Sequence, residues 1–540
     1  MNHQKSYGRA IIYTDADRIT SENIISVLRL AFAEHLANSA KMEKLISYEA
    51  GAQPLPQEKI TRKDIDAQVV DNIANEITEF KCAYKWGNTI TLVQRGENDS
   101  GSKKKENEGI SQLNEMFAAE YVGMKQQELA RYVEICGVGY TLTDVNTNWR
   151  KGRSYFTYDV LDPQYTFVVR SRRLGHRVML GVTYSIDAHF NFHFTCFTDD
   201  TRYEIDGLGG GEIVSSASAL EWGERERSGE VNPLGLIPIV EWVRSSDRMG
   251  CFERQIPELD NINQMVSDLS NGIRQNVNSL WWANNVEFPT EVTTDKDGNE
   301  VETVDHPQSG DWIETSTSRD GKDPRIEPLV ANYDYEGQMN NILARRSLVL
   351  QKCHVPQRGE SNNATGIAVS SASGWDAAED DANKGSLYMA AAKMQEVEIA
   401  LAAIKVSQCP QDNPVRKLFY MDVEPSIKRE KNRDLVSKIN FFATGISHGL
   451  HPRPLIQTMG TFADPEQVYL DSKPYLDKYL EATFADKNKD GSSVAYNGYG
   501  MVQNNSAKTG EGGSGEKAAN AERIGQDESD QVTNSPNLKG

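Results

Sequence analysis

Long apolar runs, closely spaced cysteines and an apolar N-terminus are all missing from this sequence of 540 residues. No stretch approaches the roughly 18 apolar residues of a membrane-spanning helix, and the start, MNHQKSYGRA, lacks the apolar core of a signal peptide. We therefore expect a soluble protein that is not exported. The cysteines lie tens of residues apart, which argues against a disulfide framework or a zinc site and indicates folding in the cytoplasm: Cys82, Cys136, Cys196, Cys251, Cys353 and Cys409.

Positive charge is also in short supply. The chain has 58 Lys and Arg against 78 Asp and Glu, which gives a formal net charge of −20. Long-range repulsion from phosphates and anionic lipid argues against a sequence-reading DNA-binding protein. The triplet Lys103–Lys105 lies in a polar stretch with acidic neighbours and no interleaved aromatic residues, so we interpret it as a solvated loop.

No complete catalytic or phosphate-binding motif occurs in the sequence. The run Gly510–Lys517 resembles a P-loop, but Glu516 stands directly before the lysine. The run Gly445–Gly449 has the letters of a nucleophile elbow, yet it follows a predicted helix instead of a strand and is interpreted as a helix-ending turn. His189 and His193 lie about 13 Å apart on a predicted strand, too far for one metal ion. We therefore predict no catalytic residue, no metal site and no cofactor.

The first half of the sequence predicts helices followed by an antiparallel sheet. Apolar residues recur at helical spacing from Thr20 to about Ala50, and a second helix is predicted over Ile65–Phe80. Between Gly139 and Val243 the apolar period changes to two, with Gly, Asp and Pro between the runs. In the predicted strand His189–Phe197, alternate residues should be buried: Phe190, Phe192, Phe194 and Cys196.

A long helix with an unusual polar face follows the sheet. Apolar residues keep a spacing of three and four from Ile256 to Leu280. The opposite face carries mostly uncharged amides and hydroxyls, whereas solvent-facing helices prefer Lys and Glu. Further on, Asp297-Gly298 at the centre of Glu291–Val304 predicts a β-hairpin.

The second half of the sequence is mainly helical. A helix through Tyr335 and Leu350 precedes a polar loop, and a very long helix is predicted over Ala364–Val406. Shorter helices are predicted between residues 432 and 484, and the composition of residues 486–540 predicts disorder because few apolar residues offset the ordering entropy. The whole pattern predicts an α+β fold class.

This order of parts resembles the portal proteins of tailed double-stranded DNA bacteriophages, of the siphophage type. The resemblance covers about Thr20 to Ala485, and its most specific pieces are Leu236–Trp242 (LIPIVEW) and Asn362–Ala368 (NNATGIA). It implies a portal-like fold with long helices around a central channel. By position the regions would be a 1–19 N-terminal extension, 20–250 wing, 251–284 first stem helix, 285–332 clip, 333–352 second stem helix, 353–363 tunnel loop, 364–408 long wing helix, 409–485 crown and 486–540 disordered tail.

The resemblance also implies a function. Such a protein forms a homo-oligomeric ring, a dodecamer in this family, at one capsid vertex of the virion, after assembly in the host cytoplasm. The ring is a channel through which double-stranded DNA, without sequence specificity, is packaged and ejected. Implied partners are the terminase large subunit, a head–tail adaptor, and the major capsid and scaffolding proteins, with no membrane partner. No enzymatic activity or cofactor is implied.

Two groups of residues become candidates for the channel. The tunnel loop would contribute His354, Val355, Pro356, Gln357, Arg358, Gly359, Glu360, Ser361, Asn362 and Asn363. The stem would contribute residues that face the channel or a neighbouring subunit: Asn271, Arg274, Asn278, Arg345, Arg346 and Lys352. For the two stem arginines, weak contacts to the DNA backbone and inter-subunit salt bridges both remain open. Uncharged amides would hydrogen-bond without salt-dependent phosphate contacts.

A second hypothesis from another class is a metal-dependent DNA-processing enzyme, a nuclease of a phage or mobile element. Glu379, Asp380 and Asp381 are carboxylates of the kind that hold Mg²⁺. Adjacent residues of a helix point in different directions, however, which disfavours a shared ion. A third hypothesis is an adaptor that binds protein alone.

Overall fold

The computed structural model divides the chain into two compact units, Met1–Glu430 and Lys431–Gly540. The residues that the structure describes are 8–55, 66–95, 108–148, 150, 153–209, 217–224, 229–277, 280–284, 290–294, 300–304, 323–329, 334–357, 374–429, 435–459, 468–469, 471–478, 494–496 and 502–504.

The first unit has a sheet-rich body of the α+β class, as the sequence predicts. Its early strands are β1 (Ile12–Thr14), β2 (Thr91–Gln94), β3 (Val138–Val145), β4 (Phe156–Leu161), β5 (Thr166–Ser171), β6 (Val178–Ile186), β7 (Phe192–Phe197), β8 (Thr201–Leu208), β9 (Glu221–Glu224), β10 (Glu230–Val231) and β11 (Ile239–Val243). The larger sheet has the order β1-β5-β6-β7-β8-β10, with β9 paired to β8, and β11-β3-β4 form a second sheet. The pairs are antiparallel except β1 with β5, so the predicted antiparallel sheet is confirmed.

The helices of this unit pack on those sheets and on one another. They are α1 (Ile24–Glu49), α2 (Ile73–Trp86), α3 (Glu108–Ala119), α4 (Val122–Cys136), α5 (Ile256–Val277), α6 (Tyr335–Lys352) and α7 (Trp375–Val406). The helical spacing of α1 buries Ile24, Leu28 and Phe32 completely. The Phe32 ring meets three aromatic rings of the larger sheet edge to face, at centroid distances of 5.0 to 5.4 Å: Tyr184, Phe192 and Phe194.

The strand predicted over His189–Phe197 begins three residues later than expected, at Phe192. The side chain of Asp187 accepts hydrogen bonds from the backbone N–H groups of His189 and Asn191, which fixes a turn in front of the strand. Phe190 lies in that turn with φ of 60° and is 40% exposed, so its predicted burial is wrong. The burial of Phe192, Phe194 and Cys196 is confirmed.

Helix α2 also begins later than predicted, at Ile73 instead of Ile65. Asn72 is the N-cap, and its side chain accepts a hydrogen bond from the Asn75 N–H at 3.3 Å. The residues before this cap, 66–71, are not helical and run along α5. We call residues 67–71 the strap.

Helix α5 starts at Ile256 as predicted but ends at Val277, short of the expected Leu280. The chain beyond it forms β12 (Leu280–Asn284), which pairs antiparallel with β15 (Arg325–Leu329). The predicted hairpin is confirmed, because β13 (Thr290–Thr294) and β14 (Glu300–Val304), which flank Asp297-Gly298 in the sequence, pair antiparallel. Leu280, counted in the helical stripe, is therefore a strand residue.

The boundaries of the long helix differ from the prediction at one end only. Helix α7 ends at Val406 as expected, but Gly374 precedes it with a left-handed φ of 86°, so a single helix starting at Ala364 is wrong. Residues 364–373 lie outside the described part of the chain. After α7 the chain turns back, and β16 (Val423–Ser426) pairs with β2 of the same unit. A separate C-terminal region beginning at residue 409 is therefore wrong, since the first unit extends to Glu430.

The second unit contains helices α8 (Leu435–Ser447) and α9 (Pro452–Met459). Ser447 ends α8 and Gly449 has φ of 83°, which confirms the helix-ending turn at Gly445–Gly449. Within residues 486–540 the structure describes an antiparallel pair, β17 (Val494–Tyr496) with β18 (Val502–Asn504).

Candidate functional site

Helices α5 and α6, the predicted stem pair, pack directly against each other. Leu259 and Ile262 of α5 and Ile342 and Val349 of α6 are each at most 4% exposed and share one core cluster. The Tyr335 hydroxyl at the start of α6 donates to the Gly272 carbonyl near the end of α5, at 3.0 Å. The two helices therefore form one antiparallel unit that carries the strand pair β12–β15 at one end.

The amide face of α5 binds the strap. The side chains of Asn263, Ser267 and Asn271, four residues apart on one helix face, accept hydrogen bonds from the backbone N–H groups of residues 71, 69 and 67 at 2.9, 3.0 and 2.6 Å. All three side chains are at most 4% exposed. These three uncharged residues are thus explained by backbone groups of the same chain, which need hydrogen-bond partners when buried.

This arrangement corrects one candidate. Asn271 was expected to face the channel or a neighbouring subunit, but it is 4% exposed and its amide also donates to the Ala67 carbonyl at 3.4 Å. Arg274, in the last turn of α5, is exposed. Asn278 lies outside the described residues.

The stem arginines on α6 are paired within their own chain. Arg345 donates to Glu258 of α5 at 2.7 Å, and Arg346 is bonded to Asp71 of the strap and to Glu76 of α2. Their side chains are 40% and 30% exposed, so each keeps one face accessible. Hydrogen bonding to Asp71 raises the pKa of Arg346. Lys352, the last residue of α6, is exposed.

The first residues of the predicted tunnel loop close helix α6 with a Schellman motif. The Val355 N–H donates to the Leu350 carbonyl at 2.9 Å and the His354 N–H to the Gln351 carbonyl at 3.0 Å. His354 takes the left-handed position, with φ of 54°, that glycine normally occupies. Val355 is buried with Leu350, as the motif requires. His354 is exposed, and partial burial followed by the charge of Lys81 lowers its pKa.

The next two residues stay close to α6. Pro356 is partly exposed, and the side chain of Gln357 is hydrogen-bonded to both the hydroxyl and the carbonyl of Ser347. Gln357 therefore folds back onto the helix. The other loop candidates lie outside the described residues: Arg358, Gly359, Glu360, Ser361, Asn362 and Asn363.

A buried charge network that the sequence analysis missed lies beside this segment. Lys81 of α2 is 1% exposed, and its ammonium donates to Asp381 of α7 at 2.7 Å and to the His354 carbonyl at 3.3 Å. Lys85 also contacts Asp381, at 2.9 Å, and Glu134, at 3.4 Å. A lysine on an amphipathic helix indicates a solvated face, so no sequence signal distinguished Lys81 from a surface residue.

The pKa values of this network follow from burial and pairing. Burial, together with the neighbouring Lys85, lowers the pKa of Lys81. Burial alone would raise the pKa of Asp381, but Lys85, Lys81 and Arg244 hold it far below its ordinary value. Asp381 is therefore ionised at neutral pH and serves as the shared counter-ion of three cations.

Two of the three carboxylates that motivated the nuclease hypothesis are already engaged. Glu379 accepts hydrogen bonds from the Tyr84 hydroxyl and from Arg429, Asp381 belongs to the Lys81 network, and Asp380 is exposed on another side of α7. Within the described residues no group of three or more His, Cys, Asp or Glu side chains is arranged to hold a metal ion. The nuclease hypothesis has no support from this geometry.

The family of phage portal proteins described as SPP1 Gp6-like matches residues 32–451, most of the chain and all of the stem region. The protein therefore belongs to this family of siphophage-type portal proteins, which are structural components of the virion. A search of curated proteins returned no match. No helix in the described ranges combines the length and apolar character of a membrane span.

Proposed function

We propose that the protein forms a ring at one capsid vertex, through which double-stranded DNA is packaged and ejected. The observation that carries the proposal is the family match over residues 32–451, which spans the paired helices α5 and α6 and the strands between them. On this proposal the sheet-rich body is the wing, α5 and α6 are the stem, β12–β15 belong to the clip, α7 is the long wing helix and the crown follows Glu430.

Apolar side chains left exposed on the stem support self-association. On α6, Met339, Leu343 and Leu348 are 46% to 49% exposed, and Ile273 on α5 is 48% exposed. Ring formation would bury such residues between neighbouring subunits, which stabilises an assembly through the hydrophobic effect.

Charge supports a channel through which DNA slides. Each chain carries −20, and a ring multiplies that charge, so the duplex experiences net repulsion from the assembly. Arg345 and Arg346 are neutralised by carboxylates of their own chain, which leaves weak backbone contacts as their role towards DNA. Arg274, Lys352 and His354, all exposed, are the remaining described candidates for phosphate contacts without sequence specificity.

The implied partners follow from the proposed position. The strand region Leu280–Leu329 lies between α5 and α6 in the sequence. It would bind the terminase large subunit during packaging and the head–tail adaptor afterwards. The wing would contact the major capsid and scaffolding proteins. On this proposal the ring assembles in the host cytoplasm, before the virion is complete.

The test is the mass of the purified protein in solution, followed by particle images of the same sample. We expect a species of about 724 kDa, twelve times the chain mass of 60.3 kDa, with a central hole wide enough for duplex DNA. A neighbouring ring size would also support the proposal. A species of one chain mass, both alone and with scaffolding protein added, would refute it.

A further inference from the structure

The connection between α6 and α7 has its two described ends, residues 353–357 and Gly374, close together in space. A Cβ placed on Gly374 would lie 3.9 Å from the Cα of Pro356, so the two ends of the segment lie side by side. We call these two ends, residues 353–357 and 374–381, the segment base.

The departing end of the base is held by Lys81. The left-handed residue His354 turns the chain away from the helix axis of α6, and its carbonyl accepts a hydrogen bond from the Lys81 ammonium at 3.3 Å. Cys353 and Val355 on either side are buried, at 5% and 7% exposure. One hydrogen bond from Lys81 and the two buried side chains thus fix this end.

The returning end is held by the same helix, α2. The Trp375 ring meets Phe80 and Tyr84 at centroid distances of 6.0 and 5.6 Å. The Tyr84 hydroxyl donates to Glu379, and Lys81 donates to Asp381 at 2.7 Å, both one to two turns into α7. Three residues of α2, Phe80, Lys81 and Tyr84, therefore contact the returning end.

We propose that α2 is the common anchor of the segment base and that Lys81 is its positioning residue, which fixes both ends of the connection between α6 and α7 that contains the predicted tunnel loop. This inference rests on the proposed function and deepens it. The Lys81 ammonium lies between an acceptor on the departing end and an acceptor on the returning end. Displacing either end leaves a buried cation partly unpaired, which is unfavourable, so the same ammonium opposes displacement of both ends.

The test is hydrogen–deuterium exchange of the assembled full-length protein carrying Lys81→Met. The matched control is Lys393→Met, because Lys393 is an equally buried lysine of α7 that donates to Glu396 at 2.7 Å, away from the base. We expect Lys81→Met to raise exchange at least tenfold in both 350–357 and 375–381, compared with the control. DNA packaging in a reaction with the cognate terminase should fall with the same variant.

Exchange no faster than in Lys393→Met at both ends would overturn the anchor. If Lys81→Met does not fold, Trp375→Leu tests the same point, because Trp375 is 43% exposed and its replacement leaves no buried charge unpaired. Faster exchange in residues 353–357 as well as in 375–381 supports a common anchor. Faster exchange in residues 375–381 alone refutes it. Faster exchange with unchanged packaging supports the anchor but contradicts the role of this segment in the DNA channel.

Discussion

Replacing Asn271 by Ala separates a structural role from a channel-facing role. In the structure its side chain is hydrogen-bonded to both the N–H and the carbonyl of Ala67, a residue that is 6% exposed. Alanine leaves both backbone groups buried without these partners, and each such group costs about 1–3 kcal/mol. Because the carbonyl contact is long, at 3.4 Å, we expect a total near the lower end, about 2 kcal/mol.

The loss of these two hydrogen bonds should first make the strap open more often, because the strap can detach without unfolding of the helices. An opening free energy lowered by about 2 kcal/mol corresponds to about 30-fold faster amide exchange at Ala67 and Val69. The assay is hydrogen–deuterium exchange of the peptide that covers residues 66–72, together with denaturant unfolding of the same sample. Gln264→Ala is the control, because Gln264 is exposed on the same helix and should change stability by less than about 0.5 kcal/mol.

Two results would contradict the reasoning. Exchange of the strap equal to that of the Gln264→Ala protein would mean that the amide face does not hold it. A selective loss of DNA packaging with unchanged strap exchange would instead restore the channel-facing role of Asn271.

Three further predictions concern other residues. His354→Gly should raise the free energy of unfolding by about 1 kcal/mol, measured by denaturant unfolding, because glycine adopts the φ of 54° without strain, whereas His354→Ala should not. Burial lowers the pKa of His35 from 6.5 to about 4, so as the pH falls the unfolded chain takes up a proton at this histidine before the folded chain does. The free energy of unfolding should therefore fall by up to about 3 kcal/mol from pH 6.5 to 4, and it should fall less steeply in His35→Gln. Arg346→Met should cost about 1 kcal/mol, and less at high salt, in thermal unfolding.

Much of the fold could be predicted from local pattern. The period of two in Phe192, Phe194 and Cys196 identifies the buried face of β7, and the spacing of α1 and α5 identifies their apolar faces. Element ends were less predictable, because they depend on particular polar contacts. Asn72 caps α2 and Asp187 fixes the turn before β7, and neither choice follows from apolar periodicity.

The position of the candidate region along the chain was predicted from the sequence, but the contacts that its side chains make were not. The sequence places two helices, a polar segment and a long helix in order, and it marks the amide face of α5 as unusual. Only the tertiary structure assigns that face to the strap and pairs Arg346 with Asp71, residues 275 positions apart.

By itself, the amino-acid sequence determined the fold class, the order of the elements and the family, because apolar periodicity and short motifs are local properties of the chain. Tertiary structure alone decided the partners of the polar side chains. Lys81 shows the physical reason: a charged residue is tolerated in the interior only where counter-charges and carbonyls converge on it, and that convergence comes from α2, α6 and α7 packing together.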